Sequence, residues 1–200
     1  RTMHAVLIEA DQSLVWSEVP DPAPGPEDVV MDIHATALNR ADLMQRAGNY
    51  PPPPGWPEWM GLEAAGVVRH APAGGRFRVG DRVCALLGGG GYAEQVAVPQ
   101  GMVLPIPEGL TMVQAAAIPE AFATSYLNLC LEGGLQAGDT VLIQAGASGL
   151  GMAAIQLVKA LGGTVMTTVS TEAKADFVRG LGADIVVNRT TTDLADAMAE

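Results

Sequence analysis

The C-terminal part of the chain alternates between strand-type and helix-type segments, and this alternation constrains the fold more than any other feature of the sequence. A short apolar run at residues 140–144 is followed by a glycine-containing turn and by a helix-type run at residues 149–161. The pattern then continues with a strand, a helix and a strand at residues 164–169, 171–181 and 184–187. Strands that alternate with helices of this length predict a parallel, doubly wound α/β sheet.

Three strands are about half of the six-stranded sheet in a complete doubly wound nucleotide-binding domain. Residues 192–200 begin what the sequence predicts to be a further capped helix. We therefore expect the native protein to continue beyond this point, so that residues 121–200 are the N-terminal part of such a domain.

Residues 1–120 differ in composition and pattern, because they are rich in proline, glycine and short β-type runs. Strands separated by frequent turn signals predict a barrel or a sandwich. The strand-type runs lie at residues 5–8, 29–33, 65–68, 82–86 and 95–98. The glycine run at residues 88–91 lies between two of them and is interpreted as a hairpin turn. Thr111 and Gln114 form a capping box that predicts a short helix, and a longer helix is predicted at residues 120–132.

The net charge of the chain is −11. Phosphate backbones and anionic lipids are bound by clustered cations, so we expect neither a nucleic-acid partner nor a membrane surface. No apolar run approaches the roughly 18–20 residues of a membrane span, and the N-terminus lacks the features of a secretory signal. Cys84 and Cys130 are too few for a disulfide framework and are interpreted as buried thiols of a cytoplasmic protein.

The turn at residues 144–151 has the features of a phosphate-binding loop. Gly146 and Gly151 take the outer positions of a glycine-rich fingerprint, and Ser148 takes the middle position. Such glycines let the backbone approach a pyrophosphate, and the helix start at Gly149 and Leu150 offers free amides. The same loop can also be a simple tight turn. The strand before it, the helix after it and the second βα unit favour dinucleotide binding.

The residues after the second strand bear on which dinucleotide is bound. An NAD site has an Asp or Glu at the end of that strand to hold the ribose 2′-hydroxyl, and this chain has Ser170 there. Together with Thr171, Lys174 and Arg189, it is predicted to hold the 2′-phosphate of NADPH. The alternative is that Lys174 and Arg189 are ordinary surface charges. A nearby carboxylate, Glu172, argues against a phosphate site.

Four segments resemble the zinc-free quinone oxidoreductases of the medium-chain dehydrogenase/reductase superfamily, and they lie at residues 39–46, 61–66, 105–110 and 114–120. Within this group the chain is most similar to the p53-inducible quinone oxidoreductase type, which also has serine at the Ser148 position. The resemblance covers essentially the whole chain in the expected order. It implies a GroES-like N-terminal catalytic domain, followed by a partial Rossmann domain, and a homodimer when the protein is complete.

The zinc alcohol dehydrogenases of the same superfamily differ at the positions of their metal ligands. Asn39 stands where those enzymes have a cysteine ligand, and Leu62 stands where they have a histidine. Leucine cannot coordinate zinc and asparagine is a poor ligand for it, so we expect no metal. Alcohol oxidation benefits from a Lewis acid. A quinone is already electrophilic, so hydrogen bonding and orientation can suffice.

The resemblance places Tyr50, Asn39 and Thr124 near the nicotinamide. Tyr50 would hydrogen-bond or protonate the quinone oxygen, and Asn39 would orient substrate or cofactor. From the residues alone, Tyr50 is better explained as part of a loop that caps the core, and Asn39 as part of a turn. Trp56 and Trp59 either flank a flat aromatic substrate or anchor their loop.

The leading hypothesis is therefore hydride transfer from NADPH to a quinone or another small conjugated carbonyl, without a metal. Two alternatives stay open. One is reduction of the double bond of an α,β-unsaturated carbonyl, which the same scaffold and hydride donor can serve. The other is a cofactor-binding, crystallin-like protein with little turnover.

Overall fold

The structure is a computed structural model that describes residues 1–199, and it divides into two compact units, Arg1–Glu120 and Ala121–Glu200. Each unit is built around a hydrophobic core of its own. Within the described residues, no helix combines the length and the apolar character that a membrane crossing requires.

The first unit is built from antiparallel strands. β1 (Thr2–Ile8) and β2 (Leu14–Pro20) form a hairpin. Five further strands form one sheet in the order β6-β3-β4-β5-β7. Their bounds are β3 Asp28–Thr36, β4 Glu63–His70, β5 Arg82–Leu86, β6 Gln95–Pro99 and β7 Val103–Pro105. The predicted β-rich architecture is confirmed, whereas β2 and the three-residue β7 were not predicted.

Short helices complete the first unit. α1 spans Arg40–Arg46 and α2 spans Met112–Ala116. The capping box at α2 is confirmed, because the Gln114 amide donates to Thr111 Oγ1 at 3.2 Å and the Thr111 amide donates to Gln114 Oε1 at 2.9 Å. Helix α1 was not predicted. It starts at Asn39, whose backbone amide donates to Asp42 Oδ2 at 2.7 Å.

The interpretation of residues 88–91 as a hairpin turn is wrong. β5 and β6 are not neighbours in the sheet, since β3 and β4 lie between them. The glycine run instead packs against the segment before β4, where the Gly91 amide donates to Gly61 O at 3.0 Å. A β-carbon added at Gly88 would lie 2.7 Å from the Trp56 ring. The glycines are therefore needed for close packing inside the unit.

The second unit confirms the predicted parallel sheet. β8 (Thr140–Ile143), β9 (Thr164–Val169) and β10 (Ile185–Asn188) are parallel in the order β10-β9-β8. Helix α4 (Gly149–Ala160) connects β8 to β9, and α5 (Glu172–Gly180) connects β9 to β10. The last five residues of β9 are buried, which fits a parallel strand covered on both faces. This topology brings the carboxyl ends of the three strands to one edge, where ligands bind in such sheets.

The predicted helix at residues 120–132 is present, but it changes type along its length. It begins as α3 (Pro119–Tyr126) and continues as a π-helical turn over Leu127–Glu132. Single π turns are frequent at functional sites. The predicted final helix is α6 (Leu194–Ala199).

Candidate functional site

The turn between β8 and α4 presents free backbone amides. Ser148 is the N-cap of α4, and its Oγ accepts the Gly151 amide at 3.0 Å. The amides of Gly149 and Leu150 lie in the first turn of the helix, where no intrahelical acceptor exists. These two amides, at the positive end of the helix dipole, can bind an anion such as a pyrophosphate. The Ser148 side chain itself caps the start of α4.

The glycines of this turn differ in whether packing requires the absence of a side chain. A β-carbon at Gly146 would lie 2.2 Å from Thr167 Oγ1, and one at Gly151 would lie 2.4 Å from Ala145 O. Thr167 is fully buried and donates to Ile143 O at 2.6 Å, so it has no room to move. Gly146 and Gly151 are therefore required by packing of strand, turn and helix. Only Gly149 faces open space, with nothing within 4 Å.

A cavity of about 370 Å³ lies beside this turn at the carboxyl edge of the sheet. It brings together four of the predicted residues, which are Ser148, Ser170, Lys174 and Arg189. The Lys174 ammonium lies 3.3 Å from Ser170 Oγ. The Arg189 amide donates to Val169 O at 3.0 Å, which fixes the start of its side chain at the end of β9.

Thr171 does not line this cavity. It is the N-cap of α5, and its Oγ1 accepts the Lys174 amide at 3.2 Å. The Thr171 hydroxyl thus accepts a hydrogen bond at the helix start and keeps its own proton to donate, so its binding of a phosphate stays a prediction.

No carboxylate lines the cavity among the residues that the structure describes. Glu172, which the sequence raised as an objection to a phosphate site, has its Oε1 hydrogen-bonded to Asn188 Nδ2 at 2.6 Å. The polar groups at the carboxyl edge of β9 are thus a serine, a lysine and an arginine. This combination fits a phosphate monoester.

A second cavity of about 220 Å³ lies on the other side of the α4 start. Thr124 lines it together with Ser125, Asn128, Leu150 and Gly151. The Asn128 side chain donates to Thr124 O at 2.8 Å. Gln144 and Ser148 line both cavities, so the turn separates two neighbouring binding spaces. Sequence reasoning missed Ser125 and Asn128, whose only signal was two polar residues on the helix that carries Thr124.

The residues proposed to meet the substrate lie in the first unit. Tyr50 follows α1 and is 42% exposed. Asn39 has its side chain turned to a carboxylate, because its Nδ2 donates to Glu63 Oε1 at 2.8 Å. Trp56 packs against the main core and Trp59 against a smaller cluster with Met3, which supports loop anchoring as their role.

Glu63 is a buried acid that sequence reasoning did not assign. It is 2% exposed, and its Oε2 accepts the Glu120 amide at 2.9 Å. Burial raises the pKa of the Glu63 carboxyl, the hydrogen bonds from the Glu120 amide and Asn39 lower it, and the neighbouring Asp42 charge raises it. The signal was a charged residue directly before the apolar run at residues 64–68. Its carboxylate ties Asn39 to the first turn of α3.

We expect the Glu63→Gln variant to differ from the native protein in the pH dependence of its unfolding free energy. Because the folded pKa lies above the ordinary value of 4.5, protonated Glu63 stabilises the fold. This contribution is complete below pH 4.5 and is lost as the pH rises through the folded pKa.

Denaturant titrations of both proteins from about pH 4 to about pH 7 measure this difference. The stability of the native protein relative to Glu63→Gln should fall as the pH rises across that window. A difference that stays constant with pH, or grows, would show that burial does not dominate the Glu63 titration.

The metal positions expected from the superfamily do not form a metal site here. Leu62 has no donor atom and is buried, and the Asn39 amide is bound to Glu63. Across residues 1–199, no three His, Cys, Asp or Glu side chains are placed so that they could hold a metal ion. The donor set of the described residues therefore does not fit zinc.

Comparison with known families matches two parts of the chain. The alcohol dehydrogenase GroES-like domain family matches residues 25–108. The zinc-binding dehydrogenase family matches residues 149–200. The first match covers the five-stranded sheet and α1 of the first unit, and the second covers α4 and the elements that follow it.

Individual relatives agree with these matches. The human synaptic vesicle membrane protein VAT-1 homolog is 37% identical over 176 residues, which is 88% of this chain and 45% of that protein. The quinone oxidoreductase of Coxiella burnetii has a TM-score of 0.82 at 29% identity, over 98% of this chain and 65% of the other. The CurK enoyl reductase has a TM-score of 0.82 at 25% identity, over 94% of this chain and 59% of the CurK chain. The chain thus spans less than half the length of its VAT-1 and quinone oxidoreductase-like relatives.

Proposed function

We propose that the full-length protein is an oxidoreductase of the medium-chain dehydrogenase/reductase superfamily, and that it reduces quinones with NADPH and without a metal ion. The similar structures include both a quinone oxidoreductase and an enoyl reductase. The resemblance of four sequence motifs to the zinc-free quinone oxidoreductases, and within them to the p53-inducible type, supports the proposal of quinone reduction.

The observation that carries the choice of cofactor is the cavity at the end of β9. Ser170, Lys174 and Arg189 line it, and no acidic residue of the described chain does. A 2′-phosphate needs cations and hydroxyl donors at this place, whereas a 2′-hydroxyl needs a carboxylate acceptor. Two cations are also a local exception in a chain of net charge −11. The site is therefore suited to NADPH.

The remaining parts of the cofactor have matching groups nearby. The amides of Gly149 and Leu150 are suited to the pyrophosphate. Thr124 and Ser125 line the second cavity and are suited to the nicotinamide end. When bound, NADPH supplies the hydride.

Tyr50 is proposed to assist at the substrate oxygen. Reduction of a quinone to a hydroquinone consumes one hydride, which carries both electrons, and one proton. The Tyr50 hydroxyl can donate a hydrogen bond or this proton to the oxygen, and its exposure lets solvent return the proton. Asn39, whose Nδ2 donates to Glu63, is proposed to orient substrate or cofactor.

The test is NADPH oxidation by 1,2-naphthoquinone with the full-length protein. We expect turnover that a chelator does not change and that NADH supports less well. Tyr50→Phe should lower kcat roughly 10- to 100-fold, since general acid assistance is worth less for an acceptor that is already electrophilic. NADPH affinity serves as the control and should stay unchanged in this variant. Strict dependence on added zinc would overturn the proposal.

A second candidate function is reduction of enones, and the similarity to the CurK enoyl reductase favours it specifically. Both reactions use the same hydride donor and differ in which atom of the acceptor is protonated. Rates with a quinone and with an enone, measured side by side on one preparation, separate the two candidates.

A further inference from the structure

One acidic residue stands inside the sequence that forms the proposed phosphate site. Glu172 is the first residue of α5, between Ser170 and Lys174, which both line the cavity. A carboxylate just after the second strand of such a sheet is the group that normally favours a ribose hydroxyl over a phosphate. The sequence position of Glu172 therefore argues against binding of a 2′-phosphate by Ser170 and Lys174.

Asn188 at the end of β10 holds this carboxylate. Its Nδ2 donates to Glu172 Oε1 at 2.6 Å. Its Oδ1 accepts both the amide of Thr190 at 3.1 Å and the hydroxyl of Thr190 at 2.7 Å. Because Thr190 engages the oxygen of the amide group, the nitrogen is presented to Glu172. The orientation of Asn188 is thus set by the turn that follows β10.

The backbone around Asn188 is anchored independently of its side chain. Asn188 pairs with Val169 across the parallel strands β10 and β9, and the Arg189 amide donates to Val169 O at 3.0 Å. A change confined to the Asn188 side chain should therefore leave the strand, and the origin of the Arg189 side chain, in place.

We propose that Asn188 determines cofactor specificity by holding the Glu172 carboxylate away from Lys174 and Arg189, which keeps the cavity cationic for a 2′-phosphate. This inference rests on the proposed use of NADPH. Asn188 is a positioning residue, because it acts through Glu172 and does not line the cavity.

The physical reason is the small number of charges at the site. Lys174 and Arg189 are the two cations that line the cavity. A released Glu172 carboxylate can pair with either cation, or can lie close enough to a phosphate to repel it. NADH has no 2′-phosphate and is insensitive to this repulsion. The effect is therefore expected in the ratio of the two affinities.

The experiment is a fluorescence titration of NADPH and NADH against the full-length native protein, Asn188→Ala, Glu172→Gln and the double variant. Asn188→Ala should weaken NADPH binding about 3- to 10-fold and change NADH binding less than about twofold. The expected effect is modest because the released Glu172 carboxylate is a single charge that solvent screens. Glu172→Gln, which keeps an acceptor but has no charge, should bind NADPH at least as tightly as the native protein.

The double variant decides the mechanism. Adding Asn188→Ala to Glu172→Gln should cost nothing further, so that NADPH affinity returns to within about twofold of the native value. If Asn188→Ala leaves NADPH affinity unchanged, or if the double variant stays as weak as Asn188→Ala alone, the inference is overturned. Thermal unfolding of each variant identifies a loss of affinity that comes from misfolding. Thr190→Val removes one of the two hydrogen bonds that orient the Asn188 side chain and should weaken NADPH binding in the same direction, by less than Asn188→Ala.

The outcome for the native protein separates this inference from the proposed function. Native protein that binds NADPH no more tightly than NADH refutes the proposed cofactor. Native protein that prefers NADPH, with the same ratio of NADPH to NADH affinity in Asn188→Ala and Thr190→Val, refutes only the role of Asn188.

Discussion

Replacing Lys174 by alanine should raise the dissociation constant of NADPH about 10- to 100-fold, as expected for loss of a charge-assisted contact to a phosphate. The Lys174 ammonium lies 3.3 Å from Ser170 Oγ on the wall of the cavity that also contains Arg189. The 2′-phosphate is the only part of the cofactor that distinguishes NADPH from NADH. The dissociation constant of NADH should therefore change by less than about twofold.

The matched control is the other lysine of the chain, Lys159. It forms an ion pair with Asp184 at 2.9 Å and does not line the cavity. Lys159→Ala removes the same charge from the same unit, and we expect it to leave both affinities unchanged. Fluorescence titrations of NADPH and NADH against the two variants measure the difference. Equal losses of NADPH and NADH in Lys174→Ala would place the lysine elsewhere than at the 2′-phosphate.

Replacing Gly151 by alanine should destabilise the second unit by about 1–3 kcal/mol, the usual cost of overpacking. The added β-carbon would lie 2.4 Å from Ala145 O and 2.8 Å from the Gly146 α-carbon, and both atoms belong to the backbone. No side-chain rotation relieves these contacts. The strand-to-helix turn would have to move.

Gly149→Ala provides the comparison within the same turn. A β-carbon there meets nothing within 4 Å, so we expect the unfolding free energy to be unchanged or slightly higher. Denaturant titrations of the two variants and the native protein test the pair together. Similar stability for Gly149→Ala and Gly151→Ala would contradict the assignment of Gly151 to packing.

The second unit could be predicted from the sequence because its signals are local. The strand and helix runs near residues 140–188 have the lengths and periodicity of βα units, and their order alone implies a parallel sheet. Ser170, Lys174 and Arg189 could be placed together for the same reason, since each directly follows a strand or begins a helix. Parallel strands bring such positions to one edge.

Features that depend on contacts between distant segments could not be predicted. The glycine run at residues 88–91 has the composition of a turn, and its packing partner at residues 56–61 is visible only in the folded unit. The same holds for the pairing of Asn39 with Glu63, which lie 24 residues apart. Glu172 is the clearest case, because its sequence position opposes a phosphate and only its hydrogen bond to Asn188 reveals where the carboxylate lies.

A single-turnover measurement tests metal-free hydride transfer most directly. Full-length protein is stripped of metal ions with a chelator, saturated with NADPH and mixed rapidly with 1,2-naphthoquinone. We expect the bound NADPH to be oxidised at a rate that shows a primary isotope effect when the transferred hydrogen is deuterium, and that added zinc does not change. Oxidation that begins only after zinc is added, or bound NADPH that no quinone oxidises, would contradict the proposed chemistry.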